Sequence, residues 1–392
     1  MGSVPKIIDL AEKCCGCGAC AASCRTGCLA MEPDAEGFLR PRLNGARCVR
    51  CGRCDFVCPA LHPKDAVVPV ETVWAKSRSG EILDASSSGG LFGMLGRAVV
   101  DSGGLVVGAA FVDGCKRVEH TIAEDYEALL VLQRSKYVQS SVGSDVYSQV
   151  GKALRDGRKV LFVGTACQVA GMRNYLGRLA DSDLFLSVDV ICHGVPSPLL
   201  WERWVKHVAL LEGAEIDEVN FRSKTTGWSS YSVLYYVRTE KDASRVRGGR
   251  YGDDWYMRAF LDNVSLRPSC FGCAAKRSCG SDVTLGDFWG FADLHSEIDS
   301  TKGVSAVLCN TEKGVAAVHA VLDGADHGVA TYGEVLAGNP ALEASVEPHP
   351  QRRAFMAALV DGSTIESMMR RWSFEDTFWS RVKRKLKRVL KG

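Results

Sequence analysis

No apolar run in this 392-residue chain is long enough to cross a bilayer. The longest, such as GGLVVGAAFV, fall well short of the about 20 residues that a spanning helix needs. The opening residues MGSVPKIIDLAEK hold neither an apolar core nor a cleavage site, so no signal peptide is expected. Gly2 without Ser or Thr at position 6 makes a poor myristoylation site. An excess of either charge is also missing. The 48 Lys and Arg nearly balance the 46 Asp and Glu, leaving a net charge of +2, and that argues against a nucleic-acid partner. No G-x-G-x-x-G follows a predicted strand, so the dinucleotide fingerprint is absent. These absences leave a cytoplasmic protein whose length predicts two or three domains.

What the chain has instead is 17 cysteines. A secreted disulfide scaffold would be a short chain with an export signal, so clustered thiols here point to metal. Cys14, Cys17, Cys20 and Cys24 follow C-x2-C-x2-C-x3-C, and Cys48, Cys51, Cys54 and Cys58 repeat it, with Pro59 after the second run. In the bacterial ferredoxin rule, three close cysteines hold one [4Fe–4S] cluster and the fourth reaches the partner cluster. The predicted ligand sets are therefore Cys14, Cys17, Cys20 and Cys58, and Cys48, Cys51, Cys54 and Cys24. A zinc ribbon would use paired C-x2-C knuckles without the x3 step. Arg25 rather than proline follows the first run, a departure that leaves the ligands intact. Cys15 and Cys28 fall outside the pattern. Between the runs, LAMEPDAEGFLRPRL reads as two strands around a turn at Glu36–Gly37.

The fold class expected is α+β: an N-terminal two-cluster ferredoxin-like module over residues 1–66, a larger mixed α/β domain over 72–348, and a basic helical tail over 349–392. GGLVVGAAFV, KVLFVG and DLFLSVDVIC read as short buried strands. LFGMLGRAVVDSG, SDVYSQVGKALRDG and PLLWERWVKHVALLEG have helical spacing. SSSGGLFGMLG, where serines and glycines run into a helix start, suits either a pyrophosphate or plain capping and packing. RSKYVQSSVG and VGTACQVAG supply polar groups that suit either a ligand or a loop and a helix cap. Cys270, Cys273 and Cys279 form C-x2-C-x5-C, and with Cys192 in ICHGVPSP they make four thiolates, enough for a third cluster or a structural zinc. Cys167 could replace Cys192 as the remote ligand.

Taken in order, SSSGG, SKYVQS, GTACQVAG, CHGVPSP, FRSKTTGW, the C-x2-C-x5-C run and DVTLGDFWG resemble the coenzyme F420 hydrogenase/dehydrogenase beta-subunit family from Cys14 to about residue 350. The resemblance implies FAD and iron–sulfur clusters in an oxidoreductase that passes electrons between clusters and a soluble two-electron acceptor. It implies Ser88, Gly89 and Gly90 at the FAD phosphates. Lys136, Gln139, Thr165 and Gln168 would line the flavin pocket, with Asp287 near the site. The implied partners are a ferredoxin or other redox protein and a small acceptor, coenzyme F420 or a polysaccharide- or lipid-linked precursor. The competing reading is an electron-transfer subunit of a larger complex with no substrate of its own. No hydrogenase metal-site sequence is present, so the chain is not expected to activate hydrogen alone.

In the tail, Phe378, Trp379, Val382, Leu386, Val389 and Leu390 form one helical stripe among seven Lys and Arg between Arg381 and Lys391. That pattern suits a helix lying on an anionic membrane surface, or one docked on a protein. Peripheral attachment at the inner face of the membrane is the corresponding expectation for location.

Overall fold

The structure is a computed structural model, and it describes residues 4–238 and 245–374. The amphipathic tail stripe, Phe378 to Leu390, lies outside the described residues.

The repeated cysteine spacing becomes a repeated turn. Gly18 and Gly52 both sit in the left-handed region, with φ of 85° and 72°, and each starts a one-turn helix, Ala19–Ala22 and Arg53–Phe56. Glycine takes that conformation without a Cβ penalty. Each helix carries the third cysteine of its run, Cys20 or Cys54, into the interior. The expected hairpin separates the runs: β1 (Leu29–Pro33) pairs antiparallel with β2 (Leu39–Leu43). A stretch without regular structure follows, pinned to the rest by Val67 N–H to the Arg277 carbonyl and Val70 N–H to the Cys309 carbonyl.

The main sheet collects strands from the whole remainder of the chain. They are β3 (Glu71–Ser77), β4 (Leu105–Val112), β5 (Arg117–Ala123), β6 (Val160–Thr165) and β7 (Phe185–Val190) from its first half. A separate antiparallel sheet holds β8 (Glu215–Ser223), β9 (Ser232–Arg238) and β10 (Arg245–Arg250). The main sheet is completed by β11 (Val283–Asp287), β12 (Ser305–Cys309) and β13 (Ala325–Val329), in the order β13-β3-β12-β11-β7-β6-β4-β5. The centre, β11-β7-β6-β4, is parallel and the flanks are antiparallel. The architecture is α+β, with one mixed sheet at its heart.

Alternation along the central strands decides which layer each side chain joins. Leu105, Val107, Val160 and Phe162 face the helices Ser144–Arg155 and Ala166–Leu176, and the N-terminal Cys17 and Ala19 pack into the same layer. Val106, Ala110 and Leu161 face the opposite layer with the helices Leu91–Asp101 and Glu312–Leu322. Burial on both faces explains why these strands read as unbroken apolar runs. The smaller sheet packs with the helix Pro198–Glu212, and Phe355, Met356, Leu359, Ile365 and Met368 belong to that same core. Residues 352–372 are therefore part of a packed layer. Among the described residues, no helix is long and apolar enough to cross a membrane.

One buried cation joins the N-terminal cysteine module to this body. Arg267 is fully buried and donates to the Cys14 carbonyl at 2.8 Å, the Leu39 carbonyl at 2.8 Å and Gln139 Oε1 at 2.9 Å. Tyr147 donates its hydroxyl to the Cys17 carbonyl at 2.8 Å. Gly171 lies so close to Cys17 that an added Cβ would stand 2.8 Å from its Sγ. Arg267→Met should leave three acceptors unpaired and lose about 3 kcal/mol or more, at 1–3 kcal/mol for each buried group. Thermal denaturation followed by circular dichroism measures this. Arg267→Lys should recover only part of the loss, because an ammonium cannot reproduce the planar fork.

Candidate functional site

The structure groups the thiols in three places. Burial, with Cys14 and Cys58 close by, pushes Cys20 up to about 12. Cys58 is raised by burial and has Cys14 among its neighbours. Cys14, Cys20 and Cys58 thus share one neighbourhood. Cys17 is beside Cys15 and under Tyr147.

In the second group the Cys24 and Cys28 sulfurs lie 3.3 Å apart, and Cys28 also meets Cys48. Burial opposes ionisation of Cys24, yet hydrogen bonds from Thr26 and Cys28 bring it down to about 7. The spacing leaves Cys28 a bystander; folding places it between two of the expected ligands. Arg50 holds a positive φ of 54° and turns its N–H onto Cys48 Sγ at 3.4 Å.

The third group lies around a cavity of about 340 Å³. Its walls include Cys15, Cys167, Cys192, Cys270, Cys273 and Cys279. Cys167 opens the helix after β6 and Cys192 follows β7, so both stand at the carboxyl ends of adjacent parallel strands. Ligands sit at that end of an open α/β sheet. Cys270 belongs to the short helix Pro268–Gly272 and accepts from the Val195 N–H at 3.4 Å. Burial pushes Cys270 up to about 12, with Cys167 and Cys273 adding to the effect. Cys192 is likewise raised by burial, beside Cys270, Cys167 and Cys273. Cys279 is raised by burial and faces Asp189 instead. Cys167, Cys192, Cys270 and Cys273 are thus mutual neighbours, with Cys15 beside Cys167 and Cys279 on the same cavity wall beside Asp189.

Buried thiols resist ionisation, and a multivalent cation set among four of them reverses that. Among the described residues, no three His, Cys, Asp or Glu side chains converge as the ligands of a single ion do. Thiolates on a cubane are held apart by the cube and need no such convergence.

A second cavity, of about 530 Å³, falls within the range of cofactor pockets. Ser88, Gly90, Lys136, Gln139, Thr165 and Gln168 all line it. Their local bonds qualify the expected roles. Thr165 N–H and hydroxyl both donate to Gln168 Oε1, whose amide donates to Ser140, so this pair caps the helix Ala166–Leu176. Lys136 donates to the carbonyls of Val131, Gln133 and Arg134, which favour its charged form, while burial and Arg134 lower it to about 7. Gln139 is taken up by the Cys15 carbonyl and by Arg267. Gly89 is not among the residues that line the cavity. Its N–H donates to Ser305 Oγ, and an added Cβ would lie 2.2 Å from the Ala75 carbonyl oxygen and 2.6 Å from Ser305 N. Close backbone packing, and no ligand, requires glycine there.

The two cavities share a wall made of Thr165, Cys167 and residues 190–195. At the far side of the larger one is a group that sequence reasoning did not assemble. Arg222 is 3% exposed; its Nη2 lies 3.1 Å from Asp287 Oδ2, and its guanidinium packs 4.0 Å from the Tyr231 ring and 5.0 Å from Trp289. Trp228 donates to Asp287 Oδ1 and stacks on Trp289. FRSKTTGW and GDFWG held the signal, but only the fold shows that they meet. His120 also lines this cavity. Burial lowers it to about 4, so the ring is neutral. Its Nε2–H donates to the Val163 carbonyl and leaves Nδ1 unpartnered.

Residues 157–331 match the sequence model for the C terminus of the coenzyme F420 hydrogenase/dehydrogenase beta subunit. A chain of the F420-reducing [NiFe] hydrogenase complex from Methanosarcina barkeri, solved as a xenon derivative, is similar at 20% identity. The likeness covers 76% of this chain and 91% of that chain, with a TM-score of 0.45. No curated protein matches. Gly89→Ala should lose about 1–3 kcal/mol through overpacking against strand backbone, measured by urea denaturation.

Proposed function

We propose, from a chain whose residues 157–331 belong to the coenzyme F420 hydrogenase/dehydrogenase beta-subunit family, that this protein is a flavin- and iron–sulfur-dependent oxidoreductase acting on a soluble organic acceptor. The observation that carries the reading is the shared wall. A chamber ringed by thiols and a chamber of cofactor size share Thr165, Cys167, the segment 190–195 and Ala341 as lining.

The N-terminal runs would hold two clusters, on Cys14, Cys17, Cys20 and Cys58 and on Cys48, Cys51, Cys54 and Cys24. A third would sit on Cys192, Cys270 and Cys273, with Cys167 favoured over Cys279 as the fourth ligand because of its neighbours. The larger cavity would hold FAD, with Ser88 and Gly90 at the start of the helix Leu91–Asp101. When bound, FAD exchanges electrons singly with clusters and in pairs with an organic acceptor.

The chain's own part is positioning. Arg267 and Tyr147 fix the first cysteine run against the sheet. Neutral His120 offers an acceptor at Nδ1, while Arg222 and Asp287 form a charged, aromatic-walled end to the cavity. Such an end suits an acceptor of its own, which favours an enzyme over a protein that only relays electrons. The acceptors proposed are coenzyme F420 and a polysaccharide- or lipid-linked precursor, and the donor is a ferredoxin.

Anaerobic purification should yield about twelve iron atoms per chain and one flavin. Reduced ferredoxin, NAD(P)H and reduced F420 are then offered in turn; a flavin that none of them reduces would sink the reading. Cys273→Ser and Cys167→Ser should each lower iron by about four atoms, and Cys279→Ser should not. The reverse order would restore Cys279 as the ligand. Ser88→Asp should release flavin by repulsion of its phosphates while iron stays, read from absorbance and iron assay.

A further inference from the structure

One surface of the N-terminal module combines exposed cations with exposed apolar side chains. In the segment 44–58, Arg47, Arg50 and Arg53 are exposed and the sole acid is Asp55, a local charge of +3 − 1 = +2. Asp55 is turned inward, its two oxygens accepting the N–H groups of Lys6 and Ile7 at 3.0 Å. Arg25 is exposed on the adjoining loop, which Arg47 ties down by donating to the Thr26 carbonyl at 2.6 Å. Among these cations stand two large apolar side chains with little cover, Val49 at 68% exposure and Phe56 at 73%. Cys51, in the middle of the run, is exposed, whereas Cys20 and Cys54 are buried.

Phe56 is the last residue of a one-turn helix whose third-position cysteine points inward, so the ring has no core of its own to join. Exposed apolar groups rimmed by charge mark interaction sites. The charge is local, since the whole chain carries only +2. Its sign selects an acidic partner, and opposite charge raises the rate of encounter more than the final affinity. Small, transient interfaces are typical of electron-transfer encounters.

We propose that the segment from Arg47 to Phe56 is the docking surface for an acidic one-electron carrier protein. This rests on the reading of Cys48, Cys51 and Cys54 as cluster ligands. Phe56 and Val49 form the apolar contact, the arginines steer the carrier, and Cys51 is the exposed cysteine of the run. With a cluster bound on Cys48, Cys51 and Cys54, this run would take up the one electron that the reduced carrier gives up. No bond forms or breaks and no proton moves.

The test uses the full chain purified anaerobically, with a reduced acidic two-[4Fe–4S] ferredoxin as donor in a stopped-flow instrument. The wild-type rate should fall at least about tenfold between about 20 and about 500 mM salt, as screening removes the steering. Arg50→Glu/Arg53→Glu should lose at least about tenfold at low salt and flatten the salt dependence, while oxidation of the reduced double variant by a cationic c-type cytochrome speeds up. Phe56→Ser should slow the ferredoxin reaction at all salt concentrations. Iron content and reduction by dithionite report the centre itself in each variant. Ferredoxin rates insensitive to salt and to all three changes, with normal dithionite reduction, overturn the docking surface and leave the cluster reading standing. A wild type that lacks iron at this run, shown by unchanged iron in Cys51→Ser, overturns the cluster reading and the docking surface with it. Self-association in sedimentation that Phe56→Ser abolishes assigns the face to a second copy of the chain, and overturns the carrier.

Discussion

A guanidinium with no access to water holds two separately encoded parts of this molecule in register. Arg267 donates to the first cysteine run, to the β1–β2 hairpin and to Gln139 on the far body. A buried cation tolerates its burial only when its donors are met, so the arrangement is close to all-or-none. Everything that depends on the distance between the N-terminal thiols and the sheet depends on this contact. Gly171 sets the same distance from the other side by allowing the Cys17 sulfur to approach a helix backbone.

The sheet then determines where chemistry can occur. Its parallel centre brings the carboxyl ends of β6 and β7 side by side, and Cys167 and Cys192 follow from those two ends. One contributes through a helix start and the other through a loop, yet both reach the wall between the two cavities. Proximity here is a property of strand order rather than of sequence distance.

The fold was legible where pattern is local. The two cysteine runs, the hairpin between them, and the strands β4, β6 and β7 could be read because spacing and apolar runs encode them directly. Edge and late strands carry weaker patterns: β5 is buried only at every second or third position, and β13 only at Ala325. Of the candidate site, six of the seven cofactor residues do line one cavity. What the sequence could not show is how those residues spend their hydrogen bonds. Gln168 lines the cavity and also caps a helix, and Gly89 meets the backbone of Ala75 and Ser305 closely. Arg222 and Asp287 are 65 positions apart in sequence, and no local signal joins them.

The separation of the hydrophobic cores has an evolutionary consequence. Of the N-terminal module, Cys17, Ala19 and Val57 join the core behind β4 and β6, and Cys20, Cys28, Cys54 and Cys58 form a small core of their own; the small sheet that carries Arg222 and Tyr231 is built on another, to which the hairpin adds Phe38. Substitutions in the small sheet therefore fall on a core that holds none of the clustered cysteines. β10, exposed along its whole length, offers further room for change on that side. Drift in β8 to β10 can thus reshape the Arg222 end of the large cavity while the cores that hold the clustered N-terminal cysteines are inherited intact.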